Sequence, residues 1–265
     1  MTLPDTQTSR VLEWEGCHNV RDLGGLATLD GRRTRWGALV RSDLLCRLTE
    51  TGQTALVDHA VRTIVDLRFP DEVAHDWHLY PFRDVPDGTP KQVRYSNVPF
   101  NTGRDPALNE EIRAAYRAAT SRTELNRLDL DRNATGIAAA VSAIADAPPG
   151  GVLVHCHGGK DRTGIVVALI LSALGVSDDE IADDYALTAI NLEPLIVEWL
   201  DGITDEPAER DRLRALAMPA REAMLETLAH LAKRFGSAEE YLREAGVTDA
   251  QLRELRTRLL EVPER

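Results

Sequence analysis

Residues 152–165 constrain the fold of this chain more than any other stretch. After the turn signal Gly150-Gly151, a β-branched, apolar run predicts a short buried strand. Cys156 then begins a loop with two glycines, defined here as the glycine loop, residues 156–160. The apolar run that begins at Ile165 has the length and composition of a buried helix. The sequence therefore predicts a strand, a tight loop and a helix in direct succession.

This succession creates an anion site at the N-terminus of the predicted helix. The first N–H groups of a helix have no partners within it, and the helix dipole favours negative charge there. Gly158 and Gly159 allow the backbone to turn its N–H groups inward and a ligand to approach closely. Arg162 adds a planar guanidinium that can bind two oxygens of one phosphate. The pattern thus predicts a phosphate-binding site.

Cys156 lies at the exit of the predicted strand, inside the same positive field. A thiol near a helix N-terminus and an arginine loses its proton more readily than a free thiol, so we expect a thiolate at neutral pH. A thiolate beside a bound phosphate can attack the phosphorus atom and form a phosphocysteine. The residues alone therefore indicate nucleophilic phosphate chemistry at Cys156.

Cys156, five further residues, Arg162 and Thr163 together resemble the signature of protein tyrosine phosphatases. The longer string, with His155, Gly159, Lys160, Asp161 and Gly164 in place, more specifically resembles the bacterial tyrosine/lipid phosphatase family of that superfamily. Further pieces of the family pattern extend the resemblance from about residue 13 to residue 261: Asn19-Val20-Arg21-Asp22-Leu23-Gly24-Gly25, Arg41-Ser42, Ile64-Val65-Asp66-Leu67-Arg68 and Tyr241-Leu242.

The resemblance implies a protein-tyrosine phosphatase that needs no metal and no cofactor. The expected catalytic residues are Cys156, Asp161, Arg162 and Thr163, with Thr163 donating a hydrogen bond to the sulfur. For the general acid, the resemblance implies Asp161. Other phosphatases of the superfamily carry the acid on a separate loop, where Asp105 stands in this chain, and Asp66 is a third candidate.

The expected substrate is phosphotyrosine in a protein. Lys160 adds a second positive charge, which favours a substrate with more than one phosphate, such as a phosphoinositide; its alternative role is to pair with a neighbouring carboxylate. Asp66 and Arg68 follow a predicted strand, and ligands of α/β sheets lie at strand ends, so both are candidates for lining the pocket or for a structural pair. The residues expected to bind substrate are His157, Gly158, Gly159, Lys160, Gly164, Asp66 and Arg68.

Strands and helices alternate up to Ser172, and beyond Gly175 the pattern is helical only. The alternation predicts an α/β fold in which helices wrap a mostly parallel central sheet, as in protein tyrosine phosphatases. We predict one domain over residues 11–262 with a helical C-terminal half. The resemblance implies a lid segment at about residues 177–235, which would gate the active site if it moves.

Three local features carry further expectations. The helix that begins after Ser177 is expected to be interrupted at Glu193-Pro194. Arg21 and Asp22 are expected to form a buried structural ion pair, either with each other or with the core. His155 is expected to fix the glycine loop through hydrogen bonds.

The composition excludes several classes of protein. A net charge of -12 does not indicate a basic surface of the kind that binds nucleic acid. No stretch of about 18 apolar residues is present, so no membrane span is predicted. Three cysteines are too few for a disulfide framework, which fits a reducing compartment. Residues 1–10 lack the apolar core of a signal peptide, so we expect a cytoplasmic protein, with export by another route and the oligomeric state left open.

Three other interpretations of the glycine loop stay open at this point. His155-Cys156-His157 could hold a metal, but neighbours at a strand end point in opposite directions and no second pair stands at zinc spacing. A sulfurtransferase also uses a loop cysteine with an arginine, but usually lacks Lys160-Asp161 and Thr163-Gly164. A non-catalytic phosphate-binding module would not need the cysteine and the aspartate.

Overall fold

The computed structural model describes residues 9–82, 93–101, 110 and 114–262. Five strands form the central sheet: β1 (Arg21–Asp22), β2 (Leu39–Ser42), β3 (Val61–Asp66), β4 (Arg94–Asn97) and β5 (Gly151–His155). Their order across the sheet is β1-β2-β5-β3-β4. Strands β2, β5, β3 and β4 run parallel, and β1 pairs antiparallel with β2. The predicted mostly parallel sheet is confirmed.

Helices cover the sheet and make up the C-terminal half. They are α1 (Glu50–Asp58), α2 (Pro70–Asp76), α3 (Arg122–Arg132), α4 (Ala134–Ala145), α5 (Asp161–Ala173), α6 (Asp178–Ile203), α7 (Pro207–Ala217), α8 (Arg221–Phe235), α9 (Ala238–Glu244) and α10 (Asp249–Leu259). Of the helix predicted over 107–119, residues 114–118 are helical and most of the remainder lies outside the described residues.

Strand β5 lies at the centre of the sheet, and all of its residues are buried. Because side chains alternate along a strand, Val152 and Val154 enter the core beneath α4 and α5, whereas Leu153 enters the core on the α1 side. Because both faces of β5 are buried, its sequence is a continuous apolar run and does not alternate between apolar and polar residues. Cys156 follows the carboxyl end of β5 directly, so it lies between the two layers of helices that cover the sheet.

Helix α6 continues through Pro194, so the predicted interruption at Glu193-Pro194 is wrong. Proline removes one helix hydrogen bond and disfavours helical backbone in the residue before it. Leu192, Ile196 and Leu200 recur every four residues, and they form an apolar cluster against α7. Burial of this stripe offsets the local cost, and α6 reaches Ile203 unbroken.

Serine and threonine caps fix several helix starts. The Thr248 hydroxyl accepts from the Gln251 N–H while the Gln251 side chain accepts from the Thr248 N–H, which is a complete capping box. Ser177 caps α6 by accepting from the Glu180 N–H. The Glu180 carboxylate accepts instead from the Ala27 N–H, so it links α6 to the N-terminal segment.

Within the described ranges, no helix combines the length and the apolar character that a membrane crossing requires.

Candidate active site

The glycine loop connects β5 to α5 and lies at the base of a cavity of about 760 Å³. Gly159 has φ +61°, a left-handed conformation that favours glycine, and an added Cβ would lie 2.5 Å from the carbonyl carbon of Ser42. This close approach to the end of β2 fixes the course of the loop. The cavity is lined by loop residues Cys156, His157, Gly158 and Lys160, by Asp161 and Arg162, and by Asp43, Leu44, Arg47, Leu192, Leu195, Ile196, Glu198, Trp199, Gly202, Ile203 and Ala217.

Cys156 is 3% exposed and contacts the cavity from the base of the loop. Arg162, in the first turn of α5, lines the same cavity. The structure thus brings together the predicted nucleophile and the predicted anion ligand. One wall of the cavity is apolar, since it is built by the stripe of α6 that contains Leu192 and Ile196.

Arg162 forms a two-pronged ion pair with Glu72 of α2, at 2.5 and 2.9 Å. Its guanidinium also stacks over the Phe69 ring, 4.9 Å from the centroid. Burial lowers the pKa of Arg162, but the negative charges of Cys156 and Glu72 outweigh burial and raise it overall. Arg162 is therefore a fixed cation. Glu72 is a site residue that sequence reasoning missed.

Asp161 is the first residue of α5 and lies between two cations. Arg122 donates to its Oδ1 at 2.7 Å, and the Lys160 ammonium lies 3.2 Å from its Oδ2. Burial raises the pKa of Asp161, but Lys160 and Arg122 together lower it below its ordinary value. The carboxyl group is consequently ionised when the cavity holds no anion.

Lys160 connects the glycine loop to the C-terminal end of α7. Its ammonium donates to the carbonyl oxygen of Ala217, the last residue of α7, at 2.7 Å. Burial is the main cause that lowers the pKa of Lys160, and Asp161 opposes it. Lys160 thus pairs with the neighbouring carboxylate of Asp161, which is the alternative role expected for it, and it also contacts the last residue of α7.

Thr163 and Gly164 directly follow Arg162 in the first turn of α5 and are buried. The Thr163 hydroxyl has no hydrogen-bond partner among the described residues, so it is available to a group in the loop. A Cβ on Gly164 would lie 2.7 Å from the Tyr185 ring, so this glycine allows α5 and α6 to pack closely. Gly164 has a packing role in this position, and it does not line the cavity.

Asp66 and Arg68 are fully buried at the end of β3, and neither lines the cavity. Arg68 binds Asp66 at 2.8 Å and Asp76 at 3.1 Å. The expectation that these residues line the pocket is corrected, and the alternative of a structural pair describes their position. Tyr95 also donates to Asp66, at 2.9 Å. Asp105, the other candidate acid, lies outside the described residues.

His155 is buried beneath the glycine loop. Its Nδ1 lies 2.9 Å from the Cys156 carbonyl oxygen and its Nε2 lies 3.0 Å from the Tyr80 hydroxyl. Burial lowers the pKa of His155, which favours the neutral ring. The histidine therefore fixes the loop, as expected. Over the described part of the chain, no group of three or more His, Cys, Asp or Glu side chains is arranged to hold a metal.

Arg21 and Asp22 are buried, but they do not pair with each other. Arg21 binds Asp184 of α6 at 2.8 Å, and Asp22 binds His59 at 2.7 Å. The two side chains point to opposite faces of β1 because neighbours on a strand alternate. The segment is thus pinned to the core on both sides.

A cysteine follows a central parallel strand, an arginine lies in the first turn of the next helix, and both line one cavity, which is the arrangement that the resemblance to protein tyrosine phosphatases implies. The model of the tyrosine phosphatase family matches residues 12–261, and this chain belongs to that family. It is an enzyme of the protein-tyrosine phosphatase class.

Two bacterial relatives are similar to most of the chain. The triple specificity protein phosphatase PtpB of Mycobacterium tuberculosis is 30% identical, over 94% of this chain and 99% of that protein. A tyrosine-protein phosphatase of Nostoc commune is 28% identical, over 84% of this chain and 74% of that protein. The family assignment contradicts the sulfurtransferase interpretation of the loop.

Proposed function

We propose that this protein hydrolyses phosphotyrosine in proteins, and phosphoinositides in addition, through a phosphocysteine on Cys156. The observation that carries the proposal is the convergence of Cys156, Asp161 and Arg162 on one cavity. The glycine loop and the first turn of α5 supply N–H groups that suit the equatorial oxygens of a phosphate.

In the first step, the Cys156 sulfur attacks phosphorus in line with the ester oxygen. The S–P bond forms, the P–O bond to the leaving group breaks, and a general acid gives its proton to the leaving oxygen. Arg162 and the loop N–H groups stabilise the charge on the three equatorial oxygens. In this structure the Arg162 guanidinium binds the Glu72 carboxylate. To bind phosphate, it must either contact phosphate and Glu72 at the same time or release Glu72.

In the second step, water attacks the phosphocysteine, the P–S bond breaks and the thiolate returns. Asp161 is suited to act as the general base that takes the proton of this water, because Lys160 and Arg122 favour its ionised form. For Asp161 to act as acid in the first step, a dianionic substrate must raise its pKa, as a nearby negative charge does. The Thr163 hydroxyl, which has no partner among the described residues, can donate a hydrogen bond to the leaving sulfur.

The substrate range follows from two features of the cavity. Its apolar wall on α6 suits the ring of phosphotyrosine, and Lys160 provides a cation beside Arg162 for a second phosphate. A relative described as a triple specificity phosphatase supports activity on more than phosphotyrosine. A substrate with a second phosphate would compete with the Ala217 carbonyl oxygen for Lys160.

The test compares a phosphotyrosine peptide, a phosphoserine peptide and a phosphoinositide, each without added metal. Lys160→Ala is expected to lower phosphoinositide turnover more than phosphotyrosine turnover, because the second phosphate loses its cation. Lys233→Ala, which removes an exposed lysine of α8, is the matched control and should leave both rates unchanged. Equal losses on both substrates would remove the phosphoinositide part of the proposal.

A further inference from the structure

The side of the glycine loop opposite the cavity is held by two buried side chains. The Asn19 amide donates to the carbonyl oxygens of Gly158 and Gly159, at 3.0 and 3.2 Å. The Arg41 guanidinium donates to the Gly159 carbonyl oxygen at 2.7 Å. Asn19 and Arg41 are 0% and 1% exposed, so these bonds lie in the protein interior.

The direction of these carbonyl groups sets the direction of two N–H groups. In a planar trans peptide the C=O and the N–H point in opposite directions. The Gly158 carbonyl is opposite the Gly159 N–H, and the Gly159 carbonyl is opposite the Lys160 N–H. Holding both carbonyl groups from the interior therefore turns both N–H groups toward the cavity side, where successive N–H groups form an anion-binding concavity.

Asp184 of helix α6 binds Arg41 directly and is linked to Asn19 through Arg21. Its carboxylate accepts from Arg41 at 2.7 Å and from the Arg21 Nε at 2.8 Å. Arg21 in turn donates to the Asn19 side-chain oxygen at 2.6 Å and to the Thr188 hydroxyl at 2.8 Å. Burial raises the pKa of Asp184, but Arg21 and Arg41 outweigh it and lower the pKa to about 2. The carboxylate is thus ionised throughout the neutral range.

We propose that Asn19 and Arg41 are positioning residues for the anion site: they aim the Gly159 and Lys160 N–H groups, and Asp184 on α6 fixes both. This role accounts for Asn19, Arg21 and Arg41 in the sequence pattern, which the reaction itself does not use. It also ties the glycine loop to the helix whose later turns, at Leu192 and Ile196, build the cavity wall. The inference rests on the proposed function, since it takes the loop as a cradle for phosphate.

Asn19→Ala is the first test, with vanadate as the phosphate-shaped probe. The variant loses both amide bonds to the loop, so vanadate affinity and kcat are each expected to fall about tenfold or more, because misaimed N–H donors stabilise an oxyanion poorly. Alkylation of Cys156 by iodoacetate should slow as well. Thr227→Val is the matched control, since it removes a buried hydrogen bond from Asn126 of α3 to α8 and touches none of the residues that hold the loop. Its vanadate affinity and kcat should stay within about threefold of the wild type.

Arg41→Lys is the second variant, should Asn19→Ala fail to fold. Lysine keeps the positive charge beside Asp184. It lacks the planar guanidinium, whose separate N–H groups donate to Asp184 and to the Gly159 carbonyl oxygen. Vanadate affinity is expected to fall while the midpoint of thermal unfolding changes little.

Two outcomes would overturn the inference. One is a folded Asn19→Ala or Arg41→Lys enzyme with vanadate affinity and kcat equal to the wild type. The other is a Thr227→Val enzyme that loses as much as Asn19→Ala, which would indicate general destabilisation. A wild-type enzyme that neither hydrolyses phosphate esters nor binds vanadate would instead refute the proposed function, so the two failures are distinguishable.

Discussion

At the residue scale, the proposed acid–base chemistry depends on the charge of Asp161. Arg122 and Lys160 hold its carboxyl group ionised in the empty site, and a bound dianion supplies the opposite influence. The same side chain can therefore serve as base once the leaving group has departed and as acid while the dianionic substrate is bound. Its position at the first residue of α5 keeps it within the cavity in both steps.

Asp161→Asn tests this role through the leaving group. Asparagine cannot give up or take a proton, so turnover of a phenyl phosphate with a poor leaving group should fall about 10²–10⁴-fold. Turnover of an ester with an acidic phenol should fall less, because that oxygen departs without a proton. Glu198→Gln removes a carboxylate of α6 that lines the same cavity and is the control. Near wild-type turnover by Asp161→Asn on the poor leaving group would assign the acid to another residue.

The sequence predicted the part of the site that is contiguous in the chain. Cys156, Asp161 and Arg162 follow from one strand, one loop and one helix start. Glu72 and Arg122 could not be predicted, because they reach the site from 90 and 39 residues away and nothing in their local pattern marks them. Such partners are set by tertiary packing, which short-range periodicity does not report.

At the scale of elements, the contact between the glycine loop and the end of β2 decides whether the loop can form. Gly159 has a left-handed backbone and lies against the Ser42 carbonyl group, whereas a Cβ on Gly158 would meet the Leu192 side chain at an ordinary 3.6 Å. The two neighbouring glycines thus have different roles. Gly159 is required by the backbone, and Gly158 has room for a side chain.

Gly159→Ala and Gly158→Ala form a matched pair. Gly159→Ala should lower the free energy of unfolding by at least about 1–2 kcal/mol, the cost of left-handed backbone for an L-residue, and should abolish vanadate binding. Gly158→Ala should leave the free energy of unfolding close to the wild type. Chemical denaturation of both variants measures the difference. Equal stability of the two variants would contradict the close packing described for the loop.

The course of α6 shows where local rules fail at this scale. Pro194 predicts a break, and an isolated peptide of this sequence would be expected to bend there. In the protein, the apolar stripe of Leu192, Ile196 and Leu200 packs against Leu213 of α7, and the helix continues. Strand β5 and helix α5 were predictable because their burial makes them uniformly apolar. The continuity of α6 depends on a partner helix that a local window does not contain.

At the scale of the whole molecule, the buried carboxyl group of Asp129 makes stability depend on pH. Asp129 of α3 accepts from the Tyr116 hydroxyl and from the Asn133 amide, and it lies in a further cavity together with Asp161, Arg122 and Arg162. Burial is the main cause that raises the pKa of Asp129 to about 7. Its protonated form is therefore the one that the folded state favours.

Asp129→Asn should reveal this linkage. Because the folded-state pKa lies above the unfolded one, the contribution of Asp129 to stability is complete below about pH 4 and is lost as pH rises through about 7. Asparagine keeps an oxygen for both hydrogen bonds and does not titrate. The free energy of unfolding of the variant, relative to wild type, should therefore rise by up to about 3 kcal/mol between pH 5 and pH 8.

Urea denaturation at the two pH values measures this difference. Asp71→Asn, at an exposed aspartate of α2, is the control and should show the same difference from wild type at both pH values. If the Asp129→Asn difference is also independent of pH, the buried carboxyl group does not titrate in this range.

In the proposed mechanism, Cys156 carries the phosphoryl group and no metal takes part. The most direct test is hydrolysis of phenyl phosphate by wild-type enzyme and by Cys156→Ser, both in excess chelator. We predict that the wild type keeps its full rate. Cys156→Ser should have no measurable turnover and yet bind vanadate, because the glycine loop and Arg162 remain. Turnover by Cys156→Ser, or loss of wild-type activity in chelator, would contradict the mechanism.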